Sequence, residues 1–199
     1  ISLTALGGTV GFQGTADGAG NFNNITAVIG DVDFTATHAI GSLNAANTWS
    51  VTGTNSGSYV SGNSLNFTNF GSLTGNANTD AFTLNGGTLS GSIDGAGGAD
   101  TLTAGNVANT WTITTGNGGS VTGIGGTFSN VENLVGNASS DAFRFAAGGR
   151  VGTINGAAGS TIGVFGTSYG VVPVVQGAQY AWTVRARNIV GEGPASNSV

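Results

Sequence analysis

The stretch Asn47-Thr-Trp-Ser-Val-Thr-Gly53 recurs further along the chain as Asn109-Thr-Trp-Thr-Ile-Thr-Thr115. A second stretch, Leu73-Thr-Gly-Asn-Ala-Asn-Thr-Asp-Ala-Phe82, recurs as Leu134-Val-Gly-Asn-Ala-Ser-Ser-Asp-Ala-Phe143. The two motifs define a repeat with a period of about 62 residues. Because both strand-forming and turn-forming residues are kept, the repeat predicts a stacked architecture in which each copy packs on the next.

Residues 1–44 have the pattern of a degenerate first copy. Phe22-Asn-Asn-Ile-Thr-Ala-Val-Ile-Gly30 parallels the segments Phe67–Gly75 and Phe128–Gly136, each of which also opens on Phe-x-Asn and closes on Gly. This first copy is about 17 residues shorter than the first full copy, and a shortened end copy is typical of the cap of a stack. We therefore divide residues 1–162 into copies at 1–44, 45–105 and 106–162.

Short β-forming segments alternate with Gly or Asn turns inside the first full copy: Thr48–Thr52, Ser58–Ser61, Leu65–Leu73, Ala81–Leu84, Thr88–Ile93 and Thr101–Thr103. Apolar and polar residues alternate with period two, and one strand with its turn takes about ten residues. The pattern predicts an all-β chain. Its rhythm favours a β-solenoid, either a parallel β-helix or a β-roll, with three coils per copy and a small antiparallel β module at the carboxyl end.

The composition narrows the class of protein. The chain has 38 Gly among 199 residues, 7% charged residues and a net charge of −5, whereas average proteins have about 7% Gly and about 25% charged residues. A hydrophobic content of 39% argues against disorder. All four basic residues are Arg, so the clustered cations that bind nucleic acid or anionic membranes are missing, and so is Lys-dependent chemistry.

The sequence has no apolar run long enough to span a bilayer, so we expect no membrane span. It starts at Ile1 without Met, which favours a processed protein or a piece of a longer one. The lack of Cys is compatible with a bacterial exported chain.

From about Gly163 the composition changes, and residues 163–199 form a separate segment. Val171–Val199 resembles the last strands of a fibronectin type III domain; the resemblance rests on Tyr180, Trp182, Val184, Ala186, Asn188, Gly191, Gly193, Pro194 and Ser196. It covers about a third of such a domain, and the earlier strands are missing just before it. An incomplete sandwich leaves an apolar face and unpaired edges.

The opening residues Ile1–Gln13 read like two strands of the same kind. We therefore expect the amino-terminal strand of one subunit to complete the carboxy-terminal module of the next, giving a head-to-tail homopolymer. The subunit-contact candidates are Ile1, Leu3, Leu6, Val10, Phe12, Tyr180, Trp182 and Val184. The alternative is that Tyr180–Val199 forms a hairpin that caps the solenoid of its own chain.

Gly95-Ala-Gly-Gly-Ala-Asp-Thr-Leu-Thr103 resembles the nonapeptide of repeats-in-toxin proteins, and Gly75–Thr83 and Gly136–Arg144 are looser versions. In that family Asp and turn carbonyls of neighbouring repeats share Ca²⁺. The resemblance implies metal binding at Asp80, Asp100 and Asp141. In the alternative interpretation, each Asp caps a turn through its own backbone.

No catalytic motif stands out, and we expect no enzyme activity. The remaining acids show no recurring pair, and His38 is the only imidazole. Trp49 and Trp111 occupy equivalent positions and are predicted to fill the same core slot in successive copies; the alternative is an exposed sugar-stacking pair. The threonines Thr48, Thr52, Thr110, Thr112 and Thr114 would bind ice if they formed one flat face.

The repeats as a whole resemble those of large Gly/Asn-rich bacterial surface proteins, including adhesins, over residues 1–160. The resemblance implies a secreted or cell-surface location. It favours a non-enzymatic structural subunit or segment of a fibre or adhesin that assembles through terminal β-strands, with host or matrix glycans as further partners. The alternative function is a ligand-binding β-solenoid for carbohydrate, Ca²⁺ or ice.

Overall fold

The computed structural model describes residues 1–18, 20–31, 38–165, 187–188 and 191–192. Throughout these residues the chain is all-β, as predicted, and contains no helix. It therefore has, in this part, no helix that is long and apolar enough to cross a membrane. The predicted contact residues Tyr180, Trp182 and Val184 lie outside the described residues, as does most of segment 163–199.

The strands are β1 (Ser2–Leu6), β2 (Phe12–Ala16), β3 (Gly20–Ile25), β4 (Ala27–Ile29), β5 (Ala39–Gly41), β6 (Asn47–Gly53), β7 (Ser56–Ser61), β8 (Asn63–Thr68), β9 (Ser72–Thr74), β10 (Asp80–Leu84), β11 (Ile93–Asp94), β12 (Thr101–Thr103), β13 (Thr110–Thr115), β14 (Gly118–Val121), β15 (Phe128–Ser129), β16 (Asn133–Val135), β17 (Ala142–Ala146), β18 (Thr153–Asn155), β19 (Thr161–Phe165), β20 (Arg187–Asn188) and β21 (Gly191–Glu192).

All but two of these strands form two mixed sheets. The eleven-stranded sheet has the order β19-β17-β13-β14-β15-β11-β9-β5-β1-β2-β3, and the eight-stranded sheet has the order β18-β16-β12-β10-β6-β7-β8-β4. Strands β20 and β21 form a separate antiparallel pair. In chain order, most successive strands alternate between the two large sheets, so the chain crosses repeatedly from one sheet to the other.

The parallel strands of the eight-stranded sheet are aligned so that apolar side chains stack in register. Trp49 pairs with Phe82, which pairs with Leu102, and the row continues through Leu134 to Ile154. Along this row, the number of residues between one partner and the next is alternately large and small. It is small between Phe82 and Leu102. All five side chains are buried, and the rings of Trp49 and Phe82 are stacked, with centroids 6.1 Å apart and 7° between planes.

The eleven-stranded sheet carries equivalent rows on its inner side. Ile40, Leu73, Ile93 and Phe128 are in register, and Trp111 pairs with Phe143. The rings of Trp111 and Phe143 are stacked with centroids 5.5 Å apart. One continuous hydrophobic core lies behind both sets of rows.

Asparagines with positive φ mark sequence-equivalent bends. Asn24, Asn69 and Asn130, each third in a Phe-x-Asn segment, have φ values of 59°, 64° and 52°. Asn tolerates this left-handed conformation better than most residues. The bend at Asn69 divides the predicted strand Leu65–Leu73 into β8 and β9, which belong to different sheets. The predicted strand Thr88–Ile93 is also wrong, because only isolated bridges precede β11 there.

Trp49 and Trp111 are both fully buried, which agrees with a core role and not with an exposed sugar-stacking pair. They do not share a slot, however, because β6 belongs to the eight-stranded sheet and β13 to the eleven-stranded sheet. Between them the core row runs through Leu73, Phe82, Ile93 and Leu102, alternating sheets at each step. Five crossings are an odd number, so the second copy starts on the opposite sheet. The prediction of three coils per copy is therefore wrong.

The first copy makes three crossings, since its strands β1, β4 and β5 alternate between the sheets before β6 begins. In the first full copy, two short crossings take the chain from Phe82 to the eleven-stranded sheet and back to Leu102, the partner of Phe82. The first copy lacks such a pair of crossings. This difference accounts for most of the missing length that the sequence shows.

Replacing Leu102 with Ala should lower the free energy of unfolding by about 2–5 kcal/mol, because the side chain is fully buried between two parallel neighbours. The matched control is Thr103→Ala on the adjacent, outward-facing position, for which we expect a change within about 0.5 kcal/mol. Urea unfolding followed by circular dichroism measures both. Equal effects of the two substitutions would contradict the inward orientation of Leu102.

Candidate functional site

Polar side chains lie where the chain enters the parallel strands. We call the segments that lead from the eleven-stranded to the eight-stranded sheet forward turns, and the segments that lead back return turns. Asn47, Asp80, Asp100 and Glu132 end successive forward turns, just before or at the start of β6, β10, β12 and β16. Asn47, Asp80 and Asp100 are buried. No Lys or Arg precedes Arg144 in the sequence, so no basic side chain from this part of the chain can pair with the two carboxyl groups.

Hydrogen bonds connect these residues from one forward turn to the next. The backbone N–H of Asp80 donates to Oδ1 of Asp100 at 2.7 Å, and the backbone N–H of Asp100 donates to Oε2 of Glu132 at 2.8 Å. The side-chain amide of Asn47 donates to Oδ1 of Asp80. Each of these side chains therefore accepts a hydrogen bond from the neighbouring turn or donates one to it. Buried polar groups require such partners because they have lost their hydrogen bonds to water.

The return turns repeat the arrangement. Asn109 donates to Oδ1 of Asp141 through both its backbone N–H and its side-chain amide, each at 2.9 Å. The backbone N–H of Asp141 donates to Oγ of Ser160 at 2.9 Å. Sequence reasoning missed Glu132 and Ser160, because neither belongs to the repeated Gly-x-x-x-x-Asp pattern; only the strand pairing places them beside Asp100 and Asp141.

The Gly that opens each nonapeptide provides room for the Asp that closes the same turn. A Cβ on Gly75, Gly95 or Gly136 would lie under 3.0 Å from Oδ2 of Asp80, Asp100 or Asp141, respectively. Each carboxyl group therefore folds back over its own Gly. In the first of these turns Oδ2 of Asp80 also accepts the N–H of Asn76 at 2.8 Å, which is the turn-capping role given as the alternative to metal binding.

Burial raises the pKa values of the two aspartates that end forward turns. It raises the pKa of Asp80, and the hydrogen bonds from Asn76 and Asn47 oppose the increase. For Asp100 burial is again the main cause, and the negative charges of Asp80, Glu132 and Asp94 add to it, so that its pKa is raised to about 6. Oδ2 of Asp100 is buried without a hydrogen-bond partner among the described residues.

The structure brings together Asp80 and Asp100 but not Asp141. The first two end forward turns, whereas Asp141 ends a return turn. Within the described residues, no group of three or more His, Cys, Asp or Glu side chains is arranged to hold a metal ion. A single site built from all three carboxylates is therefore not formed, and Ca²⁺ binding at any one of them stays a prediction.

The first full copy contains a buried hydroxyl group held by two partners. The hydroxyl of Tyr59 donates to Oδ1 of Asn47 at 2.6 Å and accepts the backbone N–H of Leu43 at 2.9 Å. The ring of Tyr59 lies 4.4 Å from that of Trp49. Burial raises the pKa of Tyr59, so the phenol is neutral at ordinary pH.

The second full copy has Val121 at the position of Tyr59. Val121 pairs with Trp111 as Tyr59 pairs with Trp49. Oδ1 of Asn109, the equivalent of Asn47, is buried without a partner in the described part of the chain. Beside it lies a groove of about 490 Å³ whose lining comes from the end of β10, three return turns and the two residues after β14, and contains no charged residue.

The amino-terminal contact candidates fall into two groups. Leu3 and Phe12 are 4% and 0% exposed, and β1 has partners on both sides, β2 and β5. A contact through either side chain would require β1 and β2 to leave their own sheet. Leu6 and Val10 are 44% and 54% exposed and are accessible, while Ile1 is partly buried against the core.

Two other candidates take packing or surface positions. The ring of His38 lies 6.0 Å from that of Phe70. The predicted threonine face does not form, since Thr48 and Thr52 lie on the eight-stranded sheet and Thr110, Thr112 and Thr114 on the eleven-stranded sheet.

Comparison of the chain with protein-family models, with characterised proteins and with solved structures finds no match.

Replacing Gly95 with Ala should destabilise the protein by about 1–3 kcal/mol. The added Cβ would meet the backbone carbonyl of Asn130 as well as the carboxyl group of Asp100. Gly97→Ala is the matched control in the same turn, because its nearest atom is 3.7 Å away; we expect an effect within about 1 kcal/mol. Thermal unfolding of both variants tests this, and similar losses would refute the close packing at Gly95.

The pKa of Asp100 predicts that stability depends on pH. Because its pKa is about 6 in the folded state and 3.8 for an ordinary Asp, the folded state binds more protons than the unfolded state between these values. The contribution of Asp100 to the free energy of unfolding is therefore complete below the lower value and is lost as the pH rises through about 6. Asp80, whose pKa is also raised, acts in the same direction.

Asp100→Asn, which cannot ionise, should make the unfolding free energy less dependent on pH across this interval. Asp17→Asn, at an exposed turn, serves as the control and should leave the profile as it is. Urea unfolding at a series of pH values provides the measurement. If the wild type and Asp100→Asn had the same dependence of unfolding free energy on pH, the raised pKa of Asp100 would be contradicted.

Proposed function

We propose that this chain is a non-enzymatic structural subunit or segment of an extracellular or cell-surface fibre or adhesin, with residues 1–162 forming a β-solenoid shaft. The observation that carries the proposal is the runs of parallel strands in register within both sheets, such as β6-β10-β12-β16-β18, with apolar rows inside and hydrogen-bonded polar rows at the turns. Such a stack extends in one direction and can bear load along it. The low charge and the resemblance to Gly/Asn-rich surface proteins support an extracellular location.

The polar rows give the shaft its mechanical character. In a stack held only by its apolar core, neighbouring strands could slip in register. The side chains of Asp100 and Glu132 each accept a backbone N–H from the preceding strand of the same sheet, so a slip would leave buried donors unpaired. That cost opposes shear between neighbouring strands.

The amino-terminal end of the stack offers a place for a second copy to add. Strand β4 ends the eight-stranded sheet and has one hydrogen-bonded neighbour, β8, among the described residues. Its Ile29 is 76% exposed. An unpaired edge strand with an exposed apolar side chain is a template for pairing with another chain. End-on addition at β3 and β4 leaves β1 in place, and it is therefore the form of head-to-tail assembly that we favour over donation of β1.

Negative-stain electron microscopy of the purified chain should show unbranched filaments. Ile29→Lys should shorten or abolish them, because a charge on the edge strand opposes strand addition. The matched control is Val60→Lys on β7, which lies between two strands and is 41% exposed; it should leave the filaments intact. A wild-type chain that sediments as a monomer at high concentration, or filaments unaffected by Ile29→Lys, would refute end-on assembly at this edge.

The alternative function, a ligand-binding β-solenoid, is favoured by one specific observation, the groove beside Asn109. Of the predicted ligands, a neutral molecule such as carbohydrate suits this uncharged groove better than Ca²⁺, whose protein sites usually include carboxylate ligands. Saturable binding by a chain that forms no filaments would favour this alternative over the fibre.

A further inference from the structure

We propose that the groove beside Asn109 is a binding site for a neutral phenol, whose hydroxyl group takes the position that the Tyr59 hydroxyl has in the first full copy. The proposal does not depend on fibre formation. It rests on the comparison of two copies of one structural unit, one of which contains the hydroxyl group in its own chain.

The two copies hold the relevant donors and acceptors in the same frame. In the first copy the side-chain amide of Asn47 donates to the carbonyl of Leu43 at 2.9 Å and to that of Ala45 at 2.5 Å. In the second copy the amide of Asn109 donates to the carbonyls of Gly105 and Val107 at 2.9 and 2.7 Å. The loop and its Asn therefore make the same pair of hydrogen bonds in both copies.

The two groups that bind the Tyr59 hydroxyl both have counterparts in the groove. Leu43 N–H corresponds to Gly105 N–H, and Oδ1 of Asn47 corresponds to Oδ1 of Asn109. Gly105 and Asn109 line the groove, and Asn109 is 2% exposed with its Oδ1 unpartnered in the described part of the chain. A single hydroxyl group can accept a hydrogen bond from Gly105 N–H and donate one to Oδ1 of Asn109, as the Tyr59 hydroxyl does with the equivalent groups of the first copy.

The remainder of the groove fits a small uncharged ring. Its volume of about 490 Å³ lies in the range typical of small-molecule sites. Leu84 and the half-exposed Val107 provide apolar contact, and Gly86, Gly87 and Gly123 keep the walls low. Val121 does not itself line the groove, but it directly precedes two residues that do, Thr122 and Gly123, and its side chain is much smaller than that of Tyr59.

The chemistry of the site selects against charged ligands. The lining has no basic residue to bind an anion, and Asp141 accepts two hydrogen bonds from Asn109 directly behind the site. A buried acceptor that lacks a donor is unfavourable, because it has lost its hydrogen bonds to water without replacing them. A ligand that donates a hydroxyl proton to Oδ1 of Asn109 removes that penalty, and a ring of the same shape without a hydroxyl group does not.

The test is a titration of the ¹⁵N-labelled full chain with p-cresol, and in parallel with toluene, followed by ¹H–¹⁵N correlation spectra. We expect saturable shifts of the Gly105 amide and the Asn109 side-chain amide, none at Leu43 and Asn47, and binding of p-cresol at least about fivefold tighter than that of toluene. Equal affinities, or no saturable shift at Gly105 and Asn109, would overturn the proposal. Saturable binding of methyl glucoside, and not of p-cresol, at these groups would overturn the choice of a phenol.

A pair of variants provides an independent check. Val121→Tyr supplies the hydroxyl group from within the chain, so it should abolish p-cresol binding and melt at a higher temperature than Val121→Phe, which adds the ring alone. Equal melting temperatures with retained p-cresol binding would contradict the proposed position of the hydroxyl. If Val121→Tyr does not fold, the p-cresol and toluene comparison on the wild-type chain still decides the question.

Discussion

At the start of the parallel strands, a backbone N–H is accepted by a side chain from the neighbouring turn. The bonds from Asp80 to Asp100, from Asp100 to Glu132 and from Asn109 to Asp141 have this form. A turn buried between neighbouring turns cannot expose its donors to water, so each needs an acceptor inside the protein. The rest of the structure depends on this constraint, because it sets the polar residue that must end each turn and the strand that must lie beside it.

The same constraint explains the unusual composition. An Asp that folds back into its turn requires a residue without Cβ at the start of that turn, and Gly75, Gly95 and Gly136 meet that requirement. Carboxyl groups are held by neutral donors and not by cations, so the chain folds with few basic residues. Burial raises the pKa of both Asp80 and Asp100.

An odd number of crossings places successive copies in different surroundings. Trp49 packs against Tyr59 and Phe82 in the eight-stranded sheet, whereas Trp111 packs against Phe128 and Phe143 in the eleven-stranded sheet. Copies in unlike surroundings are free to diverge. One such difference is that the second full copy has Val121 where the first has the buried Tyr59. This difference leaves Oδ1 of Asn109 without the hydroxyl partner that Asn47 has, beside the candidate ligand site.

The class of fold and the inward-facing residues can be predicted from the amino-acid sequence alone. Period-two alternation made Trp49, Leu102 and Trp111 core residues, and the recurring Gly, Asn and Asp marked the turns, because these choices depend on local backbone geometry and on burial of every second side chain. The bend at Asn69 was not foreseen, since a continuous apolar pattern does not reveal where a strand leaves one sheet for the other.

Which strands become neighbours follows from tertiary packing and not from the sequence pattern. A short stretch of chain separates Phe82 from its partner Leu102 and a longer one separates Trp49 from Phe82, so neither the copy length nor any single motif spacing predicts the pairs. For this reason the sequence does not group Glu132 with Asp100, it groups Asp141 with acids from which it is separate, and it does not reveal the unpartnered Asn109. The packing of strands that are distant in sequence determines the hydrogen-bond partners at the turns. These partners therefore depend on how all the strands are arranged.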